Sequence, residues 1–182
     1  MGAILHAAAF AILGFLLWPL VEYAIHGVLA HRFHTPVSPM HGSHHRDPAA
    51  VFTSPIGWVP VAAALYAAYA LVVGASAGAW MILGTIAGFA RYEVIHFRIH
   101  FRTPRNERER RLRAHHLAHH FCDARSYHGV TTRTWDRFFG TLPAHAEADY
   151  ARAAMRPPLA GRSNLRQMYD PRGVFGLRRR AR

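Results

Sequence analysis

Ten of the fifteen histidines stand in four clusters: His26 and His31; His41, His44 and His45; His96 and His100; His116, His119 and His120. Neutral imidazole is a common ligand for iron, copper, zinc and nickel. Side chains three or four residues apart share one face of a helix, so each cluster can offer its ring nitrogens to one point. A protonated patch of this density beside so many arginines would be costly, and coordination keeps the imidazoles neutral. Ten ligands are too many for one ion. The residues therefore predict a site for two metal ions, each held by about five nitrogens. That exceeds the four ligands usual for structural zinc. With one position left open it suits iron that binds dioxygen, while imidazole by itself equally admits zinc, copper or nickel.

Each cluster lies beside the end of an uncharged stretch, and these stretches are the elements that must position it. Residues 2–21 carry no formal charge, and at ~1.5 Å per helical residue they reach across the ~30 Å hydrocarbon core of a bilayer. Pro19 is a candidate kink near the end of this helix. The stretch has no positive region at its start, so it reads as a retained span rather than a cleaved signal peptide. A second uncharged tract, residues 48–90, is too long for one crossing and is interrupted by Gly74-Ala75-Ser76-Ala77-Gly78. It divides into spans at residues 56–73 and 78–92 joined by a tight loop. The expected fold is an all-α integral membrane protein with about three transmembrane helices and a His-rich helical cap.

All 22 basic residues are arginine, and all lie at Arg32 or later, outside the N-terminus and the Gly-rich loop. Under the positive-inside rule the His-rich segments, and the metal site with them, face the cytoplasm. The net charge of +12 would also suit nucleic acid, but no nucleic-acid-binding motif is present and the membrane accounts for the bias. The stretch from Arg102 to Arg113 reads as a polar linker. Cys122 stands alone, so no disulfide or Cys-based zinc site is available, and it reads as a packing residue. From Leu142 onward apolar periodicity fades, which predicts an irregular Arg/Pro-rich cytoplasmic tail over residues 142–182, with Arg178-Arg179-Arg180-Ala181-Arg182 either solvated or near anionic headgroups. His6, His34 and His145 read as interfacial polar residues. His115 competes with His116 for its place, and His34 and His128 are spare.

The four clusters, in this order and beside membrane spans, resemble the histidine boxes of the fatty acid hydroxylase and sterol desaturase superfamily of membrane di-iron enzymes. Within it the chain is most similar to the fatty acid 2-hydroxylase branch. The residues that carry this are Val21-Glu22-Tyr23 ahead of His26, the spacing of His96 and His100, and the runs Gly129-Val130-Thr131-Thr132 and Trp135-Asp136-Arg137-Phe138-Phe139-Gly140-Thr141. The resemblance covers roughly residues 18–141 and makes residues 1–141 the hydroxylase-like membrane domain. It implies metal ligation by His26, His31, His41, His44, His45, His96, His100, His116, His119 and His120, and two iron ions, with zinc possible in purified protein. The implied activity is O2-dependent hydroxylation of a lipid acyl chain. Electrons would come from a separate donor of cytochrome b5 or ferredoxin type.

Several readings stay open beside this one. Carotenoid ring hydroxylases and sterol or lipid desaturases carry similar boxes, although the third box of the carotenoid enzymes has a longer spacing than His96 to His100. A membrane metal transporter would need polar residues inside its spans, and a haem protein would need no triple clusters. The chain departs from the eukaryotic members, which have four membrane helices and often a fused cytochrome b5 domain. His128 replaces the hydrophobic residue usual before the Gly-Val pair. Glu22 and Asp136 are the carboxylates expected to take the second N–H of metal-bound imidazoles. Gly129 reads as a close approach of backbone to metal or substrate, where a bulky side chain is expected to block an acyl slot with little loss of metal.

Overall fold

The computed structural model describes residues 1–160. Most of the expected tail, with the arginines at 178–182, lies outside the described residues. Among the described residues the protein is helical throughout and has no strand. α1 spans Gly2–Tyr23 and runs directly into a π-helical segment, Ala24–Ala30. It is followed by α2 (Val37–Arg46), α3 (Pro55–Val73), α4 (Ala75–Phe101), α5 (Glu107–Phe121), α6 (Thr134–Phe138) and α7 (Ala146–Ala154).

Local chemistry sets the boundaries. Pro55 stands in the first turn of α3, and the Ser54 hydroxyl caps it by accepting from the Ile56 N–H at 3.3 Å. The expected five-residue loop after α3 contracts to one residue. Gly74 makes the turn at φ +86°, a conformation open to glycine, and α4 begins at Ala75. α4 then continues nine residues beyond the expected end at Tyr92, so one rigid helix joins the apolar tract to His96 and His100. The expected linker at 102–113 is also mostly helix. Asn106 caps α5 by accepting from the Glu109 N–H at 2.9 Å, and Glu107 and Glu109 lie at its positive N-terminal end.

α1 and α4 pack with their backbones nearly touching. A Cβ on Gly84 would lie 1.8 Å from the Ala11 carbonyl oxygen, one on Gly14 would lie 2.0 Å from the Met81 carbonyl oxygen, and one on Gly88 would lie 2.4 Å from the Trp18 Cβ. Gly84 and Gly88 form the small-xxx-small pattern that lets membrane helices approach closely. Thr85 lies between them, fully buried, and its hydroxyl donates to the carbonyls of Met81 and Gly14. Below this seam Trp18 meets Trp58, Phe89 and Tyr92 edge-on, with ring centroids 5.6–5.8 Å apart.

Among the described residues two helices are long and apolar enough to cross a membrane: Gly2–Ala30 and Pro55–Val73. Both present their apolar side chains outward. Leu71 and Val72 are 88% and 83% exposed, as suits helices whose surroundings are lipid rather than a protein core. A separate core forms where α5 and α7 meet, from Leu117, Ala118, Tyr127, Val130, Tyr150 and Ala153. α7 lies inside the stretch expected to be irregular. Its alanines allow close packing, and burial against α5 stabilises a helix too short to persist alone.

Candidate metal centre

The ten clustered histidines converge into two groups. His26, His31, His41, His45 and His119 form one; His44, His96, His100, His116 and His120 form the other. Within each group the five candidate ligand nitrogens all lie within 4.8 Å of one another. The sequence clusters do not correspond to the groups. On α2, His41 and His45 face the first group while His44 faces the second; on α5, His116 and His120 face the second while His119 faces the first. Successive helical residues diverge by ~100°, so neighbours such as His44 and His45 cannot aim at one point. The two helices thus lie between the groups and serve both. His45 and His120, one from each, stack with ring centroids 4.4 Å apart.

His26 and His31 require a different local structure. Five residues on an ideal α-helix would place them ~140° apart, yet both belong to the first group. The π-helical segment between them, with its wider turn, brings i and i+5 together.

Four imidazoles donate Nδ1–H to backbone carbonyls: His26 to His128 at 2.5 Å, His44 to Ala50 at 3.1 Å, His96 to Val51 at 3.0 Å and His119 to Ser126 at 2.7 Å. That assignment of the proton leaves each neutral ring with a lone pair on Nε2. The His44 and His96 Nε2 atoms face each other at 2.9 Å, and those of His26 and His119 at 3.0 Å. Two such lone pairs repel, and a cation between them converts the repulsion into coordination. Burial first, and the neighbouring imidazoles second, hold His44, His116, His119 and His120 well below the ordinary imidazole value, so they remain neutral. A metal–imidazole bond of ~2.1 Å gives neighbouring nitrogens ~3.0 Å apart at right angles and ~3.4 Å apart at tetrahedral angles. The close Nε2 pairs lie at 2.7–3.1 Å. This spacing fits a five-nitrogen shell better than a tetrahedral one, and each group could hold one metal ion.

Neither Glu22 nor Asp136 touches any of the ten histidines, contrary to expectation. Glu22 accepts from the N–H of Val130 (2.5 Å) and Thr131 (3.0 Å) and from the Thr131 hydroxyl (2.5 Å). Asp136 accepts from the N–H of His128 and Gly129 at 2.7 and 2.8 Å and from the Thr141 hydroxyl at 2.7 Å. The two carboxylates clamp the 126–131 loop, whose Ser126 and His128 carbonyls orient His119 and His26. His115 is fully buried outside both groups, between the Tyr150 hydroxyl and Asp136. Burial pushes the Asp136 carboxyl up, but its bond with His115 and the surrounding donors bring it below the usual carboxylate value. His128 is buried behind His26, its ring 5.7 Å from that of His26, and His34 is exposed. Gly129 lines no acyl slot. A Cβ there would lie 1.9 Å from the Thr132 carbonyl oxygen and 2.8 Å from an Asp136 carboxylate oxygen, so a leucine at this position would break the loop rather than block a substrate.

A cavity open to the surroundings reaches both groups, touching His26 and His41 of the first and His44 and His96 of the second. Away from the imidazoles its wall is mostly apolar, with Trp18, Trp58, Val61 and Phe89 among its lining and Glu22 and Thr53 as its polar members.

The model of the fatty acid hydroxylase family matches residues 11–141. The chain belongs to this family. Among family relatives, the fatty acid 2-hydroxylase of Macaca fascicularis is 33% identical over 144 residues, covering 71% of this chain and 38% of the relative. The ceramide very long chain fatty acid hydroxylase of Schizosaccharomyces pombe is 34% identical over 147 residues, covering 74% and 42%. The dihydroceramide fatty acyl 2-hydroxylase of Arabidopsis thaliana is 28% identical over 139 residues, covering 71% and 59%. The chain thus spans roughly two-fifths to three-fifths of the length of these curated relatives. The fold is also that of the solved structure of full-length scs7p, in which only the hydroxylase domain is visible, with TM-score 0.68 and 24% identity over 86% of this chain and 60% of that one.

For this fatty acid hydroxylase family member, sequence reasoning missed the groups that orient the imidazoles. Ala50, Val51 and Ser126 act through carbonyls, which leave no side-chain signature. Thr131 and Thr141 were within the family-like runs, but nothing in their types pointed to the two carboxylates.

Proposed function

We propose that the chain is a membrane dimetal hydroxylase that oxidises a lipid acyl chain, with the ten clustered histidines as ligands to two iron ions. The carrying observation is a cavity that touches both five-imidazole groups and continues between apolar aromatic residues of α1, α3 and α4. An extended acyl chain is the ligand such a wall receives. The names of the relatives, fatty acid 2-hydroxylase and dihydroceramide fatty acyl 2-hydroxylase, support a reacting carbon next to the acyl carbonyl.

The bound metals would supply dioxygen activation at the end of the cavity. The protein's own groups do the rest. His44 and His96 are held by Ala50 and Val51, and His26 and His119 by the clamped 126–131 loop, so the imidazoles need little reorganisation to bind metal. Trp18, Trp58, Val61 and Phe89 exclude water and direct the chain inward.

The first 16 of the 27 residues of α4 are uncharged, and with α1 and α3 it makes three spans; the arginine distribution supports a metal centre on the cytoplasmic side, within reach of a separate electron donor. We assign the hydroxylase unit to residues 1–141 together with α7, which packs on α5, and the Arg/Pro-rich tail to the residues that follow. Lipid profiling of cells with and without the protein tests this reading. A gain of 2-hydroxy acyl chains that disappears in His44→Ala is expected. A gain of hydroxylated carotenoid rings or of double bonds, with acyl hydroxylation absent, would transfer the site to a relative's chemistry.

A further inference from the structure

A second cavity, open to the surroundings and with no histidine in its lining, lies between the C-terminal half of α4 and the start of α5. Arg91, Arg98, Arg102, Arg108 and Arg113 line it, and the one carboxylate in its wall is Glu109. That carboxylate is already engaged. It accepts from Arg98 at 2.9 and 3.1 Å and from the Arg105 N–H at 2.8 Å. Arg113 is buried and donates to the carbonyls of Ile99 and Arg156 at 3.1 and 2.7 Å, so among the described residues its charge has no counter-ion of its own. Arg102 lies over the Phe97 ring. Among the described residues Arg91, Arg102 and Arg108 form no ion pair.

Five guanidiniums against one carboxylate, arranged around a concavity, make a receptor for an oxyanion, because the planar guanidinium fork matches phosphate oxygens. The wall also contains Ile95, Ile99 and Leu112, which a bare inorganic ion would leave unused. Position along the chain points the same way. Arg91 is the first charged residue after the uncharged run of residues 48–90, so the cavity opens where the apolar part of α4 ends, at the depth of lipid headgroups. One turn further Val94 remains 59% exposed.

We propose that this cavity binds the phosphate of an anionic amphiphile, with the phosphate among the arginines and the first carbons of the chain against Ile95, Ile99 and Leu112. Its concavity and apolar floor suit a small amphiphile better than the flat face of an acidic protein. The inference takes from the functional reading only the placement of α4 in the bilayer. It requires neither bound metal nor turnover.

The test is calorimetric titration of the full chain in a neutral detergent with dihexanoyl-phosphatidylglycerol, dihexanoyl-phosphatidylcholine and inorganic phosphate. The glycerol lipid should bind at least tenfold more tightly than the choline lipid. Arg91→Gln and Arg108→Gln should each weaken it about tenfold, the loss expected for one charged hydrogen-bonding group, while helicity and metal content stay unchanged. The single Arg108→Gln variant, on the exposed side of α5, guards against a folding defect at Arg91. Inorganic phosphate binding as tightly as the lipid, and equally sensitive to the variants, would support the site and assign it to free phosphate. Equal binding of the two lipids, glycerol-lipid binding indifferent to both variants, or no binding at all would overturn the proposal. Because the readout is binding alone, such a failure stands apart from any failure of the hydroxylase reading.

Discussion

His44 and His45 are adjacent in sequence and serve different metal groups, and that division makes the ligand assignment testable one side chain at a time. Purified wild-type protein should hold about two transition-metal ions per chain. His44→Ala should empty the second group and His119→Ala the first, each lowering the content to about one, as read by elemental mass spectrometry. Full occupancy in both variants would remove these residues from the ligand set. The same rings should make the fold sensitive to acid. Burial pushes His45 down to about 4 in the folded chain, while an unfolded imidazole titrates near 6.5. A depressed folded value means that the stabilisation is complete above the unfolded value and is lost as pH falls toward the folded one. The melting temperature of the metal-free chain should therefore hold at pH 7 and decline between about pH 6.5 and 4. An unchanged melting temperature across that window would contradict the burial of these rings.

At the scale of elements, the α1–α4 seam fixes where the site can form. α1 leads into the π-helical segment that carries His26, and α4 carries His96 and His100, so the separation of these two helices sets the relation between the two groups. Gly84→Leu would drive its side chain into the Ala11 carbonyl. A cost of about 3 kcal/mol or more is expected, at the upper end for overpacking because backbone cannot yield as a side chain does. Thermal denaturation in detergent should show the loss, with lowered metal content although no ligand has changed. An unaltered melting temperature would mean that the helices are not in backbone contact. Gly84 and Gly88 carry no partner's name in the sequence. The partner, Ala11 and Gly14 on α1, emerges only when the helices are packed.

For the molecule as a whole, the cavity joins a membrane-facing apolar wall to the imidazoles, and substrate access should be separable from metal binding. Val61 lies in that wall, away from every histidine. Val61→Phe should fill the passage, lowering 2-hydroxy acyl product by about tenfold or more, equivalent to ~1.4 kcal/mol in the barrier, while the chain keeps about two metals. Paired elemental analysis and lipid profiling would check this. Undiminished product would place the acyl path elsewhere. This replaces the expectation attached to Gly129, whose backbone closes on Thr132 and Asp136 rather than on a substrate.

The sequence by itself marked the ten candidate donors and the helical class. Imidazole is chemically distinctive, its clusters stand out against long uncharged tracts, and tract length needs only the rise of a helix to be read as a span. It also carried Glu22 and Asp136 as residues of interest. Tertiary structure alone decided how ten histidines divide between two groups, since each helix presents opposite faces to different partners and spacing within one helix cannot say which face meets what. It decided that His26 and His31 share a group through a π-helical turn, a departure that composition does not announce. It also decided that the carboxylates act through a loop. The orienting atoms are backbone carbonyls, identical in every residue, and only the folded path of the chain brings them to the imidazole nitrogens.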